Sequence, residues 1–99
     1  MQVIATKITQ NPAIVKFELD EIIVRTENFE FKNIDETQNS PLAKQLFFLP
    51  FVKTVYVSGN FIAIEKFSIV EWEDVQEDVA NQINEFIANG GEILLIDET

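Results

Sequence analysis

The last third of the sequence contains a long amphipathic segment that constrains how the rest of the chain can fold. Between Glu71 and about Asn89, six apolar residues recur at spacings of three and four: Trp72, Val75, Val79, Ile83, Phe86 and Ile87. This period predicts one long helix with a single apolar face. Ser68 and Glu71 match a capping box at its start or a residue or two before it, and Gly90-Gly91 supplies the left-handed conformation at which helices commonly end.

The segments before this helix follow the two-residue period of β-strands. Residues 3–9 and 13–19 are predicted to form two strands on either side of a turn at Gln10-Asn11-Pro12. Phe29 and Phe31 alternate with charged residues, which suggests a third strand.

A short helix and a hairpin are predicted in the middle of the chain. Ser40 stands where an N-cap is expected, Pro41 suits the first helical position, and Pro50 ends the segment. Residues 52–57 and 61–67 are two apolar runs separated by a turn that contains glycine and asparagine, which is typical of a hairpin.

Together these elements predict an α+β domain with the order β-β-β-α-β-β-α. Strands that are adjacent in sequence are expected to pair antiparallel, giving a mostly antiparallel sheet with both helices on one face. A chain of 99 residues is sufficient for one domain, which we place at residues 1–91. Residues 92–99 are either a short last strand or the start of a linker.

Cysteine and histidine are both absent from the chain. Their absence excludes a Ser-His-Asp triad, a cysteine nucleophile, an imidazole base and a thiolate ligand. The three glycines form no phosphate-binding loop. We therefore predict a protein that is not an enzyme, with no catalytic and no cofactor-binding residues in this chain.

Charge is distributed unevenly along the chain, whose net charge is −10. Residues 1–66 contain eight acidic and seven basic side chains, whereas residues 67–99 contain nine acidic side chains and no basic one. Such a field repels phosphate backbones, so no nucleic-acid partner is expected. No apolar run approaches the roughly 20 residues that span a bilayer, and the N-terminus does not resemble a secretory signal. We predict a cytoplasmic protein without a membrane partner.

The start of the last helix is the most acidic part of the sequence, with Glu71, Glu73, Asp74, Glu77 and Asp78. Carboxylates can bind Ca²⁺ or Mg²⁺, but these lack the spacing of a calcium loop, and helical geometry points Glu73 and Glu77 away from the other three. Acids favour a helix N-terminus and make a solvated face. We predict no metal site and regard Glu73 and Glu77 as candidates for partner binding.

The apolar run from Leu46 to Phe51 exceeds what a short helix can bury, because such a helix turns only one stripe inward. Phe48 and Phe51 are therefore candidates for a partner-binding site, with burial of both in the core as the alternative. Trp72 lies in the apolar stripe of the long helix and is predicted to anchor that helix on the sheet rather than to stack on a ligand.

Several short motifs resemble, in order and spacing, those of the N-terminal domain of Nfu/NifU iron-sulfur cluster scaffold proteins. They cover about residues 7 to 89, with Gln10 in place of the family's proline and Glu71 in place of its aspartate. The motifs are Thr9-Gln10-Asn11-Pro12 with Lys16-Phe17, Ser40-Pro41-Leu42-Ala43-Lys44-Gln45-Leu46-Phe47, Val52-Lys53-Thr54-Val55, Asn60-Phe61-Ile62 and Glu71-Trp72.

The resemblance implies a role in the maturation of iron-sulfur proteins. Complete members of that family bind a cluster through a C-x-x-C motif in a separate C-terminal domain, which is missing from this chain. The implied function is thus a non-catalytic accessory domain that recognises iron-sulfur assembly factors or client apoproteins. The alternatives are a stand-alone acidic protein-interaction or inhibitor module and, as a third class, a carboxylate-dependent hydrolase.

Overall fold

The structure, a computed structural model, describes residues 1–95. These residues form five strands, two α-helices and one short 3-10 turn at Ile34–Glu36, which confirms the predicted α+β class and element order. The elements are β1 (Val3–Ile8), β2 (Ile14–Leu19), β3 (Asn28–Phe31), α1 (Pro41–Leu46), β4 (Val52–Ser58), β5 (Phe61–Lys66) and α2 (Trp72–Ala88).

The strands form one antiparallel sheet in the order β1-β2-β5-β4-β3. Pairing of sequence neighbours was predicted correctly for three pairs, but the expected pairing of β2 with β3 is wrong, because β2 pairs with β5. The connection after β2 crosses the tip of the β4–β5 hairpin, where the N–H groups of Ile23 and Val24 donate to the carbonyl oxygen of Gly59 at 2.8 and 3.2 Å. This crossing carries the chain to the far side of β4.

One face of the sheet carries the hydrophobic core. Side chains of alternate strand residues are buried there against the apolar stripes of α1 and α2, so both helices cover the same face, as predicted. The core includes Val15, Phe17 and Leu19 of β2, Val55 and Val57 of β4, Ile62 and Ile64 of β5, Leu42 and Leu46 of α1, and Val79 and Ile83 of α2.

Helix α1 begins as the sequence predicted. The hydroxyl oxygen of Ser40 accepts a hydrogen bond from the N–H of Ala43 at 3.1 Å, and Pro41 occupies the first helical position. The same hydroxyl donates to the carbonyl oxygen of Ile93 at 2.6 Å. Ser40 therefore caps α1 and also ties it to the segment that follows α2.

Helix α2 begins at Trp72 without the predicted capping box. Ser68 lies outside the helix, and Glu71 is the N-cap residue but makes no side-chain capping bond. Tertiary contacts fix the start instead, because the indole N–H of Trp72 donates to the carbonyl oxygen of Ala13 at 2.7 Å. Its ring also meets Phe17 and Phe51 edge to face, at centroid distances of 5.9 and 6.2 Å. The predicted role of Trp72 as the anchor of this helix is confirmed.

The end of α2 confirms the role of its glycines. Gly90 has a φ of +88° and donates its N–H to Ile87, while the N–H of Gly91 reaches the carbonyl oxygen of Phe86 at 2.9 Å. This is a Schellman motif. Residues 92–95 form no strand, although the side chain of Ile93 is buried in the core. The rest of the segment for which a strand or a linker was predicted, 96–99, lies outside the described residues.

Candidate partner-binding surface

The exposed side of α2 is a continuous acidic surface. Five carboxylate side chains on it face solvent, and α2 contains no lysine or arginine. At about 100° per residue these positions fall within an arc of about 140°, opposite the buried Trp72, Val79 and Ile83. We call this surface the acidic face, and it consists of Glu73, Asp74, Glu77, Asp78 and Glu85. The predicted separation of Glu73 and Glu77 from Asp74 and Asp78 amounts to about 100° around the helix axis, and all four side chains are exposed.

None of these carboxylates is engaged by a basic side chain within residues 1–95. The ion pairs of that region are formed by other carboxylates, for example Lys7 with Glu18 at 3.0 Å and the N-terminal amine with Glu21 at 3.2 Å. The negative charge of the acidic face is thus available to a partner that carries positive charge.

The structure separates the two candidate phenylalanines. The side chain of Phe48 is 64% exposed, whereas that of Phe51 is only 8% exposed and rests against Trp72. Phe51 lies immediately before β4 and is drawn into the core as the strand begins. A ring buried in this way cannot contact a partner directly, so the structure retains only Phe48 as an exposed candidate.

Two further exposed apolar residues follow the end of β5, which pairs with the start of β4 four residues after Phe48. They are Phe67, whose N–H donates to the carbonyl oxygen of Phe51 at 2.8 Å, and Ile69, three positions before Trp72. We call Phe48, Phe67 and Ile69 the apolar end. Neither residue was a candidate from the sequence, because Phe67 was assigned to the hairpin strand and Ile69 fell inside the predicted capping box. Their position on either side of Ser68 was the available signal.

The uncovered face of the sheet carries a lysine beside an aromatic ring and a tyrosine beside two carboxylates. The Lys16 ammonium lies 4.6 Å from the centroid of the Phe61 ring, an ordinary cation–π contact. Burial raises the pKa of the Tyr56 phenol above its usual value of 10.0, and nearby Glu65 and Glu30 act in the same direction. The phenol therefore stays protonated at neutral pH and is a poor nucleophile.

The donor groups of the residues that the structure describes do not fit a metal ion or an iron-sulfur cluster. Within residues 1–95 no three His, Cys, Asp or Glu side chains converge in an arrangement that could hold a metal ion. Thiolate and imidazole groups are missing from the whole sequence, and iron-sulfur clusters are held mainly by thiolates. In the same described region neither helix has the length and apolar character needed to cross a membrane.

Residues 4–90 match the family model described as the N-terminal region of scaffold protein Nfu/NifU. Among curated proteins, the chain is 34% identical over 92 residues to the NFU1 iron-sulfur cluster scaffold homolog, mitochondrial, of Drosophila willistoni. It is 32% identical over 88 residues to the human protein of the same name. These matches cover 92% and 88% of this chain but only 32% and 35% of the relatives. The chain thus spans about a third of the length of these relatives.

A solved structure shows the same fold. The solution structure of a NifU-like protein from Saccharomyces cerevisiae superposes with a TM-score of 0.80, over 97% of this chain and 87% of that one. At 23% sequence identity, this likeness bears on the fold alone.

Proposed function

Because the chain belongs to the family of Nfu/NifU N-terminal domains, as its motifs predicted, we propose that it is the partner-recognition domain of an iron-sulfur cluster scaffold protein. The family is one of scaffolds, and the proposed role is non-catalytic. The acidic face of α2, with the apolar end near the N-terminus of that helix, is the observation that carries the proposal.

In this proposal the cluster is cargo and is bound outside this chain. The chain has no thiolate or imidazole to offer. The matched relatives are about three times as long, which leaves room for a cluster-bearing part elsewhere in the protein. This domain then contributes affinity and orientation rather than metal ligands.

Recognition proceeds through two kinds of interaction. The acidic face attracts basic surfaces of assembly factors or client apoproteins over a distance of about 10 Å at moderate salt, which increases the rate of encounter. Once the partner is close, burial of the exposed Phe48 ring stabilises the complex by about 1–2 kcal/mol. The charges act mainly on association, and the ring acts mainly on the lifetime of the complex.

Titration calorimetry with purified iron-sulfur assembly proteins and client apoproteins of the same organism tests this proposal. Neutralising two carboxylates of the acidic face, as Glu73→Gln with Glu77→Gln, should weaken binding severalfold at low salt and much less at high salt. The matched control is Glu27→Gln with Asp35→Asn, which removes the same charge from exposed positions outside α2. The affinity of this control variant should be closer to that of the unmodified chain.

Phe48→Ser should weaken binding at both salt concentrations, because loss of apolar burial is not screened. The proposed surface would be contradicted if partners bound the unmodified chain, the two double carboxylate variants and Phe48→Ser with equal affinity. Absence of binding to every assembly protein and client would contradict the function itself.

A further inference from the structure

The end of α2 contains a pair of residues that is chemically reactive in flexible chains. Of the eight asparagines in the sequence, only Asn89 is followed by a glycine. Glycine has no side chain to shield its main-chain nitrogen, so this nitrogen can attack the side-chain amide of the asparagine before it. The side chain of Asn89 is exposed, and a Cβ added at Gly90 would meet no atom within 4 Å. Crowding therefore does not prevent the attack.

The reaction replaces the amide of Asn89 with a carboxylate. The nitrogen of Gly90 loses its proton and bonds to Cγ of Asn89, while the bond from Cγ to the side-chain nitrogen breaks and ammonia leaves. The product is a five-membered succinimide ring, which water then opens. Hydrolysis of the new bond gives aspartate, and hydrolysis of the original peptide bond gives isoaspartate, whose main chain runs through Cβ and Cγ. Water is the only co-reactant.

The conformation of Asn89 opposes closure of this ring. Its ψ is 11°, so the nitrogen of Gly90 is nearly eclipsed with the nitrogen of Asn89 itself and lies away from Cβ. Ring closure requires that nitrogen on the Cβ side. Because the peptide bond is planar, only rotation about ψ can bring it there. The end of α2 must therefore open before the reaction proceeds.

Two hydrogen bonds hold the peptide in this closed position. The N–H of Gly90 donates to the carbonyl oxygen of Ile87 at 3.0 Å, and the N–H of Gly91 donates to that of Phe86 at 2.9 Å. The proton that the reaction must remove from Gly90 is thus engaged in the Schellman motif. Rotation about ψ of Asn89 breaks this bond.

We propose that Asn89–Gly90 is a deamidation site that the closed end of α2 protects and that reacts when this end opens. Element ends open locally at a lower free-energy cost than global unfolding. Here Ile93 contributes to that cost, because its side chain is only 7% exposed and its carbonyl oxygen accepts the Ser40 hydroxyl at 2.6 Å. The rate of deamidation therefore reports how often the segment after α2 leaves the core.

The product makes the end of α2 harder to close again. Both products add a negative charge near the negative end of the helix dipole, where Glu85 already lies and no basic residue compensates. Isoaspartate also lengthens the main chain before Gly90 by one methylene group. The two closing hydrogen bonds then lose their register. The modification is a lasting record that this segment has opened.

Peptide mapping by mass spectrometry tests the proposal on the 99-residue chain, aged in mildly alkaline buffer with and without guanidinium chloride. The unfolded chain should deamidate at Asn89 about tenfold faster or more, because only the folded chain must first open. A peptide of residues 85–93 in both solvents corrects for the effect of the denaturant on the chemistry. Asn89→Gln should abolish the reaction at this position, because glutamine would have to close a larger ring.

Hydrogen exchange of the Gly90 N–H measures the opening directly in the unmodified, folded chain. Exchange requires that the bond to Ile87 breaks, and deamidation requires the same break followed by rotation of the peptide. The folded chain should therefore slow deamidation by at least the factor by which it slows exchange. This comparison needs no variant and so does not depend on the folding of one.

Two substitutions beyond the reactive pair test the role of the following segment. Ile93→Ala removes a buried side chain and leaves residues 85–92 unchanged, so it should speed deamidation severalfold. Leu95→Ala is the matched control, because its side chain is 49% exposed, and it should leave the rate nearly unchanged. Circular dichroism verifies that both variants are folded.

Equal rates in the folded and the unfolded chain would overturn the proposal, and so would the absence of reaction at Asn89 in the unfolded chain. Equal rates for Ile93→Ala and Leu95→Ala would also overturn it, as would a slowing of deamidation smaller than the slowing of exchange at Gly90. No partner protein takes part in these measurements, so they are separate from the test of the proposed function.

Discussion

At the scale of single residues, Phe48 and Phe51 show how sharply environment changes over three positions. Phe51 is almost fully buried and meets the Trp72 ring edge to face at 6.2 Å, so its ring joins β4 to the start of α2. Phe48 follows the end of α1 and leaves most of its ring in water. Burial of one aromatic ring contributes several kcal/mol, so the two positions have different roles.

Truncating the two rings should therefore have very unequal effects on stability. Phe51→Ala should lower the free energy of unfolding by about 3–5 kcal/mol, because it opens a cavity beside Trp72. Phe48→Ser should change it by less than about 0.5 kcal/mol, as is usual for surface substitutions. Urea unfolding followed by tryptophan fluorescence measures both. A large loss of stability for Phe48→Ser would show that its ring belongs to the core.

Local chemistry was predictable at this scale and long-range contacts were not. The capping role of Ser40 follows from its place before Pro41 and was predicted correctly. Its second bond, to Ile93, joins residues 53 positions apart, and no sequence pattern reports such a distance. The same limit applies to Phe51, whose burial depends on Trp72 rather than on its own neighbours.

At the scale of elements, α2 has a charge pattern that suits one of its ends and not the other. Its first turn contains Glu73 and Asp74, which interact favourably with the positive end of the helix dipole. Its last turn contains no basic residue and begins with Glu85, whose negative charge lies near the negative end. The acidic residues therefore stabilise α2 at its N-terminal end and destabilise it at its C-terminal end.

Charge reversal at the two ends separates these contributions. Glu73→Lys and Glu85→Lys change the net charge equally and at exposed positions, so the difference between them reports the helix dipole, less the gain from pairing of the new lysine at position 73 with Glu77 one turn away. Glu85→Lys should be more stable than Glu73→Lys by about 1 kcal/mol at low salt, with a smaller difference at high salt. Thermal unfolding followed by circular dichroism measures both variants. Equal stabilities at low salt would contradict this assignment.

Element boundaries were predicted well where the determinant is local. The hairpin turn and the glycine end of α2 follow from backbone preferences of glycine and were placed correctly. The start of α2 was not predicted correctly, because the contacts of Trp72 fix it instead of the capping box that Ser68 and Glu71 suggest. The pairing of β2 with β5 rather than β3 was also not predicted, because it joins segments more than 40 residues apart in the sequence.

At the scale of the whole molecule, the two sides of α2 differ sharply in chemistry. The apolar side of α2 completes the core, and the acidic side forms the candidate surface, which has no basic side chain between its carboxylates. The family and fold could be predicted from the sequence because the motifs are continuous segments. The candidate surface could be predicted only in part, because the bond that holds Phe67 at the start of β4, from its N–H to Phe51, comes from the fold rather than from a motif.

Crowding of negative charge on the folded chain should make its stability depend on salt. With a net charge of −10, the compact state has more self-repulsion than the expanded unfolded chain. Sodium chloride shortens the screening length from about 30 Å at 0.01 M to about 8 Å at 0.15 M, so the melting temperature should rise over this range. Removing two carboxylates, as Asp78→Asn with Glu85→Gln, should reduce the rise, whereas Phe48→Ser, which leaves the charge unchanged, should preserve it. If the melting temperature is independent of salt or falls over this range, self-repulsion does not limit the stability of the domain. The acidic face would then be retained at no cost to folding.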